Sequence, residues 1–205
     1  EVYLTVKGKG GHAAMPEMFV DPVIITAHIL VALQQIVSRF ASPKVPCVLS
    51  FGKVTAEGAT NIIPAEVKVE GTFRTMNEEW RAEAHIAIKK MAEGIAESMG
   101  ATCDCEVRVG YPFLKNDPEV ATRMKSHAVE YLGEENVLDL DLWMAGEDFA
   151  FYSQEIPACF YRLGIRNEAK GINSGLHTST FNIDESALEI GAGLMAWLAI
   201  RDLVD

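Results

Sequence analysis

The sequence predicts an α/β (α+β) chain in two parts. Residues 1–110 read as a ferredoxin-like βαββαβ domain, and residues 111–205 as the C-terminal portion of an α/β domain that is incomplete. Three observations predict this. Apolar and polar residues alternate in separate short stretches, the mark of strands buried on one face and wet on the other. Two apolar stripes at helical spacing fall between those stretches, with their own start and stop signals. Beyond Gly110–Pro112 helices dominate, and too few strands remain to close a sheet.

Element by element, Val2, Leu4 and Val6 alternate with Tyr3, Thr5 and Lys7, giving a first strand. Asp21 and Pro22 start a helix as N-cap and first-turn proline, with a stripe of Ile25, Ile29, Leu33, Ile36 and Phe40. Pro43 and Pro46 stop it, and Cys47 to Val54 is a second strand. A third strand covers about Glu66 to Arg74, with Val67, Val69, Gly71 and Phe73 on one face. Thr75 and Glu78 read as a capping box for a helix carrying Trp80, Ala84, Ala87, Met91, Ile95 and Met99, ended by Gly100. Cys103, Cys105, Val107 and Val109 alternate with Asp104, Glu106 and Arg108 in a last strand. The second half reads as a helix from Asp117–Pro118 to Leu132, a short helix near Glu147, an apolar strand from Ala158 to Gly164, and a long helix after Asp184. Between that strand and that helix lies an irregular stretch, Arg166 to Phe181, of a length that is commonly functional.

Composition bounds the function. A net charge of −11 repels phosphate backbones and argues against nucleic acid as a partner. No apolar run is expected to reach a membrane span, because His28 and Gln34–Gln35 interrupt the longest stretch, so no membrane partner is expected. The four cysteines form no Cys-x-x-Cys pair and read as buried free thiols. That suits a reducing compartment, and a cytoplasmic location is expected. The chain opens inside a strand without an initiator Met, so it reads as a piece of something longer.

Of five histidines, His28, His85 and His127 lie in helical patterns and read as structural. His12 sits in Gly8-Lys9-Gly10-Gly11-His12-Ala13-Ala14, where small neighbours let another group approach closely. It is either a hydrogen-bond or proton donor or part of an ordinary glycine-rich turn. His177, in Gly175-Leu176-His177-Thr178-Ser179, is either a metal ligand or a solvent-facing loop residue. Arg74 at a strand end and Asn61 in a loop between strands either converge on a carboxylate or are solvated polar groups. Glu147 and Asp148 read as helix-capping acids.

Four segments in register, GKGGHAAMPE, ATNIIPAEVKVEGTFRT, MAGEDFAFY and LHTSTFNIDE, carry a resemblance over essentially the whole chain. The chain resembles the aminoacylase, hippurate hydrolase and auxin-conjugate amidohydrolase family of dinuclear metallopeptidases. The resemblance implies a catalytic α/β domain holding two divalent metals and an inserted ferredoxin-like lid that dimerises. It implies hydrolysis of the amide bond of a small N-acyl amino acid. Zinc is the default metal; manganese, cobalt and nickel remain open. It gives His12 the transition-state oxygen, often across a dimer interface, gives Asn61 and Arg74 the substrate carboxylate, makes His177 a metal ligand, and leaves Glu147 as a candidate beside the metal ligands.

One departure matters. The family's Cys-Gly-His-Asp stretch, glutamate pair and further histidine do not occur here. The chain keeps one ligand of about five, and by itself is expected to be inactive. The competing reading is a non-catalytic dimerisation or interaction module derived from such an enzyme.

Overall fold

The computed structural model describes residues 1–204, and each alternating stretch of the first half is a strand in it. In chain order the elements are β1 (Val2–Lys7), β2 (Gly11–His12), α1 (Pro22–Leu33), β3 (Cys47–Thr55), β4 (Ile62–Ile63), β5 (Glu66–Thr75), α2 (Glu78–Ser98) and β6 (Thr102–Val107). The main sheet has the order β3-β5-β1-β6, with every neighbouring pair antiparallel. That is the ferredoxin-like order the sequence predicts. Val2, Leu4, Val6, Val67, Val69 and Phe73 face α1 and α2 and are buried with Ile25, Ile29, Leu33, Ala84, Ile88, Ala92 and Ala96. The other face carries Tyr3, Lys53, Lys68 and Glu70, with the exposed ion pairs Lys53–Glu70 and Lys68–Glu66.

The helix starts follow local chemistry. Asp21 Oδ1 accepts the backbone N–H groups of Val23 and Ile24, capping α1. The expected capping box on Thr75 is corrected. Thr75 is still strand, its hydroxyl is buried and has no hydrogen-bond partner among the described residues, and Asn77 caps α2 through Trp80 N–H at 2.7 Å. Phe40 leaves the α1 stripe and is 50% exposed. The chain makes a wide π turn over Ile36–Phe40, and the extra residue rotates Phe40 off the core. Met99, the C-cap of α2, is exposed, and Val109 falls beyond β6 and is exposed.

The expectation about membrane-length runs is also corrected. Pro22–Phe40 is long and apolar enough, by length and composition, to cross a membrane. One face packs on the sheet through Ile25, Ile29, Leu33 and Ile36, while Val23, Ile24 and Val31 on the same helix stay exposed.

The chain divides into two units. The first is Glu1–Phe113 with Met144–Glu147; the second is Leu114–Trp143 with the residues from Asp148 on. The boundary thus lies three residues past the expected 110, and a four-residue piece of the later chain returns to the first unit. The connector is held to the first unit by an ion pair. Arg81 pairs with Glu78 and donates to the Tyr111 carbonyl at 2.8 Å, while Glu78 accepts Phe113 N–H at 2.9 Å.

The second unit contains α3 (Pro118–Leu132), α4 (Ala150–Glu155) and α5 (Ser186–Val204). Asp117 caps α3. α3 packs on α5, where Trp197 Nε1–H donates to the His127 carbonyl at 3.0 Å and stacks on Tyr131. The expected strand Ala158–Gly164 is irregular chain without a ladder, and no described strand runs beside it. Asn116 holds it instead, exchanging two hydrogen bonds with the Phe160 backbone. The alternating Val137–Trp143 stretch is likewise unladdered, and leaves Leu138, Leu140, Leu142 and Trp143 exposed. The short helix begins at Ala150, three residues after Glu147, and its N-cap residue is Phe149, which makes no side-chain cap hydrogen bond.

Candidate functional site

The ribbon of β1 and β5 continues past the main sheet. Lys7 lies opposite Glu66, Gly8 N–H donates to the Ala65 carbonyl at 2.9 Å, and β2 then pairs with β4, His12 opposite Ile62. Gly10 permits this close approach, because a Cβ there would stand 2.8 Å from the Ile63 carbonyl oxygen. The extension brings His12 and Asn61 together at its tip, with Ala13 N–H donating to the Asn61 carbonyl at 3.1 Å. Both residues are exposed.

His12 has a defined polarity. Its Nδ1 accepts the N–H of Ala14 at 3.1 Å. A ring nitrogen that accepts carries no proton, so in the neutral imidazole the hydrogen sits on Nε2. The exposed edge of the ring is therefore a donor.

Arg74 is elsewhere. It is the penultimate residue of β5, opposite Val48. The eight strand steps from Glu66 to Arg74 span roughly 26 Å. Asn61 and Arg74 therefore do not converge within one chain, which corrects the expected joint carboxylate clamp. Arg74 instead lies against Gly146, in the piece Met144–Glu147 that returns to the first unit, and Glu147 is half-buried in that piece.

His177 lies in the second unit, exposed, at φ 61°. It is the one non-glycine residue among those described with a positive φ. A histidine in that region is uncommon, and such backbone is held by its surroundings. Thr178 Oγ1 donates to the Gly175 carbonyl at 2.9 Å, and the Ser174 and Thr180 hydroxyls meet at 2.8 Å, tying the loop across His177.

The four cysteines are free. Burial pushes the Cys103 thiol up to about 12 and the Cys105 thiol up to about 11, and raises Cys47 and Cys159 as well. Thiols so held stay protonated and are poor nucleophiles or ligands. Among the described residues no three His, Cys, Asp or Glu side chains converge as a metal site. A dinuclear centre needs several donors, more than the described residues of this chain bring together.

Two arrangements escaped the sequence reading. One is the contact of Arg74 with Gly146, 72 positions apart along the chain. The other is a cluster of Asn167, Lys170 and Asp184 in the second unit. Neither has a local pattern, since each pairs residues from different elements.

Comparison with known proteins fits this anatomy. Residues 1–99 match the family model of the M20 peptidase dimerisation domain. An IAA-amino acid hydrolase of Arabidopsis thaliana is 33% identical over 208 residues, covering 98% of this chain and 46% of that protein. A solved structure described as an aminohydrolase, from methicillin-resistant Staphylococcus aureus, superposes with a TM-score of 0.77 at 31% identity, over 97% of this chain and 50% of that one. A dinuclear metal-binding peptidase of the M20 family from Bacillus subtilis gives 0.66 at 26% identity, over 97% and 48%. The chain thus spans about half the length of the relatives it matches. It belongs to the M20 family of metallopeptidases and amidohydrolases, and its residues 1–99 are that family's peptidase dimerisation domain.

Proposed function

We propose that this chain is part of a longer enzyme that hydrolyses the amide bond of small N-acyl amino acids, working as a homodimer whose site takes residues from both copies. One observation carries the two-copy reading: His12 and Asn61 sit at one tip of the first unit, while Arg74 and Glu147 sit at the far end of β5. A substrate of amino-acid size cannot touch both groups of one copy.

In this reading Arg74 of one copy forks the substrate carboxylate. Asn61 and His12 come from the other. Water adds to the amide carbonyl, the oxygen takes up negative charge, and the C–N bond then breaks, releasing the amino acid as a protonated amine and the acyl group as a carboxylate. The His12 Nε2–H points outward and serves the developing oxyanion. His177 serves as a divalent-metal donor, with Glu147 near the remaining ligands. The metal supplies water activation when bound, with zinc first and manganese, cobalt and nickel as alternatives. The Arabidopsis relative is by name a hydrolase of IAA-amino acids, and the Bacillus relative is by name a dinuclear metal-binding peptidase; both support this substrate class and cofactor.

The homodimer forms through the first unit. The free edge of β3, with Val54 half-exposed on it, and the bare apolar face of α1 at Val23, Ile24 and Val31 are the surfaces we assign to it. The free, unbridged cysteines favour a cytoplasmic location.

The test uses the full-length protein, assayed for amino-acid release from N-acetyl and N-benzoyl amino acids before and after chelation. Chelator-sensitive turnover supports the reading. Absence of turnover with every one of the four metals overturns it and leaves the interaction-module alternative.

A further inference from the structure

We infer that Asp184 is a positioning residue that holds the loop carrying His177 in its left-handed conformation. This deepens the reading of His177 as a metal donor and rests on it. Asp184 is 8% exposed. Its Oδ1 accepts Lys170 Nζ at 2.7 Å and Ser186 N–H at 3.3 Å, and its Oδ2 accepts Asn167 Nδ2 at 2.5 Å. These three donors come from both sides of the loop. Asn167 and Lys170 stand before it, and Ser186 opens α5 after it.

The backbone closes the same neck. Asn167 and Ile172 exchange two hydrogen bonds of 2.8 Å, and Asp184 N–H donates to the Ile165 carbonyl at 3.0 Å. Residues 173–183 are therefore a loop clamped at both stems, with His177 at φ 61° near its middle. Inside the loop the restraints among the described residues are local: the two hydroxyl contacts, Phe181 N–H donating to the Thr178 carbonyl at 3.2 Å, and Ile183 N–H donating to Asn182 Oδ1 at 2.9 Å. An unusual conformation persists where the surroundings over-determine it, and the charged clamp is the strongest restraint at this neck. A carboxylate buried at the neck with both amide and ammonium partners fixes the separation of the two stems. Removal of either the carboxylate or the ammonium lets them part.

An ordinary buried ion pair would contribute to stability and leave the loop alone, so the test reads the loop. In the full-length protein, Asp184→Asn, Lys170→Met and the double variant are compared by amide exchange of residues 173–183 and by zinc affinity in competition with a chromophoric chelator. Each single variant is expected to speed exchange in 173–183 while α5 stays protected, and to weaken zinc binding about tenfold. The double variant should be no worse than either single one, because both belong to one network. Unchanged exchange and unchanged zinc affinity in folded variants overturn the assignment. If Asp184→Asn does not fold, Lys170→Met, whose side chain is largely exposed, decides. His177→Ala separates the two ideas. Unchanged zinc affinity in that variant refutes the donor role, while the exchange data still judge the clamp.

Discussion

The guanidinium of Arg74 occupies the space beside Gly146, where a Cβ would stand 3.0 Å from Nη1 and 3.5 Å from the Tyr111 ring. Glycine at 146 is thus a matter of room for an arginine from a strand end. Gly146→Ala should push the guanidinium aside by a few tenths of an ångström. For a group that positions substrate, a full 1 Å misplacement costs about a hundredfold, so a loss of roughly tenfold in kcat/KM is expected. The loss should fall mainly on KM, with metal content unchanged. Steady-state kinetics with elemental analysis checks it.

Arg74→Ala should raise KM far more than it lowers kcat, whereas His12→Ala should lower kcat. Losing one oxyanion donor typically costs about a hundred- to a thousandfold in turnover. Metal content should be unchanged in the His12 variant. Because Nδ1 is engaged by Ala14 N–H, His12→Gln, which can present an amide donor, should recover part of the loss. Loss of metal in His12→Ala would show that His12 is a ligand.

The first unit was legible because each element announces itself locally. Val2-Leu4-Val6 alternation, the Asp21–Pro22 start and the Gly100 stop (φ 81°) all act within a few residues, and β1, α1 and α2 follow them. The capping box at Thr75 misled because Asn77, two residues on, competes for the same role and wins once β5 pairs with β3 through Thr75. Ala158–Gly164 misled because an apolar run signals burial, while a ladder needs a neighbouring strand. In the site, His12 and His177 stood out by their loops. The strand expected over Glu66 to Arg74 already lay between Asn61 and Arg74, but only the extension of the β1–β5 ribbon through β2 and β4 shows that Asn61 lies beyond the near end of that strand and Arg74 at its far end.

Acid should test Asp184. Hydrogen bonds from Lys170 and then Asn167 hold its carboxyl well below the usual carboxylate range. A carboxyl lowered on folding contributes stability above its unfolded value, about pH 4, and loses it as pH falls through the folded one. The Tm difference between wild type and Asp184→Asn should therefore be fully present at neutral pH and shrink below about pH 4. A difference that grows on acidification would contradict the assignment.

The core of the first unit should respond as a packed interface. Leu33 and Ile88 are fully buried between helices and sheet. Leu33→Ala or Ile88→Ala should each cost about 2–5 kcal/mol in denaturant unfolding. Asn77→Ala, removing the α2 cap, should cost about 1 kcal/mol.

Subunit mixing tests the shared site most directly. Full-length His12→Ala and Arg74→Ala proteins, each nearly inactive at a substrate concentration well below the KM of the Arg74 variant, are dissociated, mixed in equal amounts, reassociated and assayed at that concentration. In a mixed dimer one site receives Arg74 from the first variant and His12 from the second, both intact, and the other site receives neither. With random pairing half the dimers are mixed and each has one good site, so roughly a quarter of wild-type activity should return. If both residues serve the site of their own copy, every site in every dimer lacks one of them. No recovery in a sample shown to contain mixed dimers would then contradict the two-copy site.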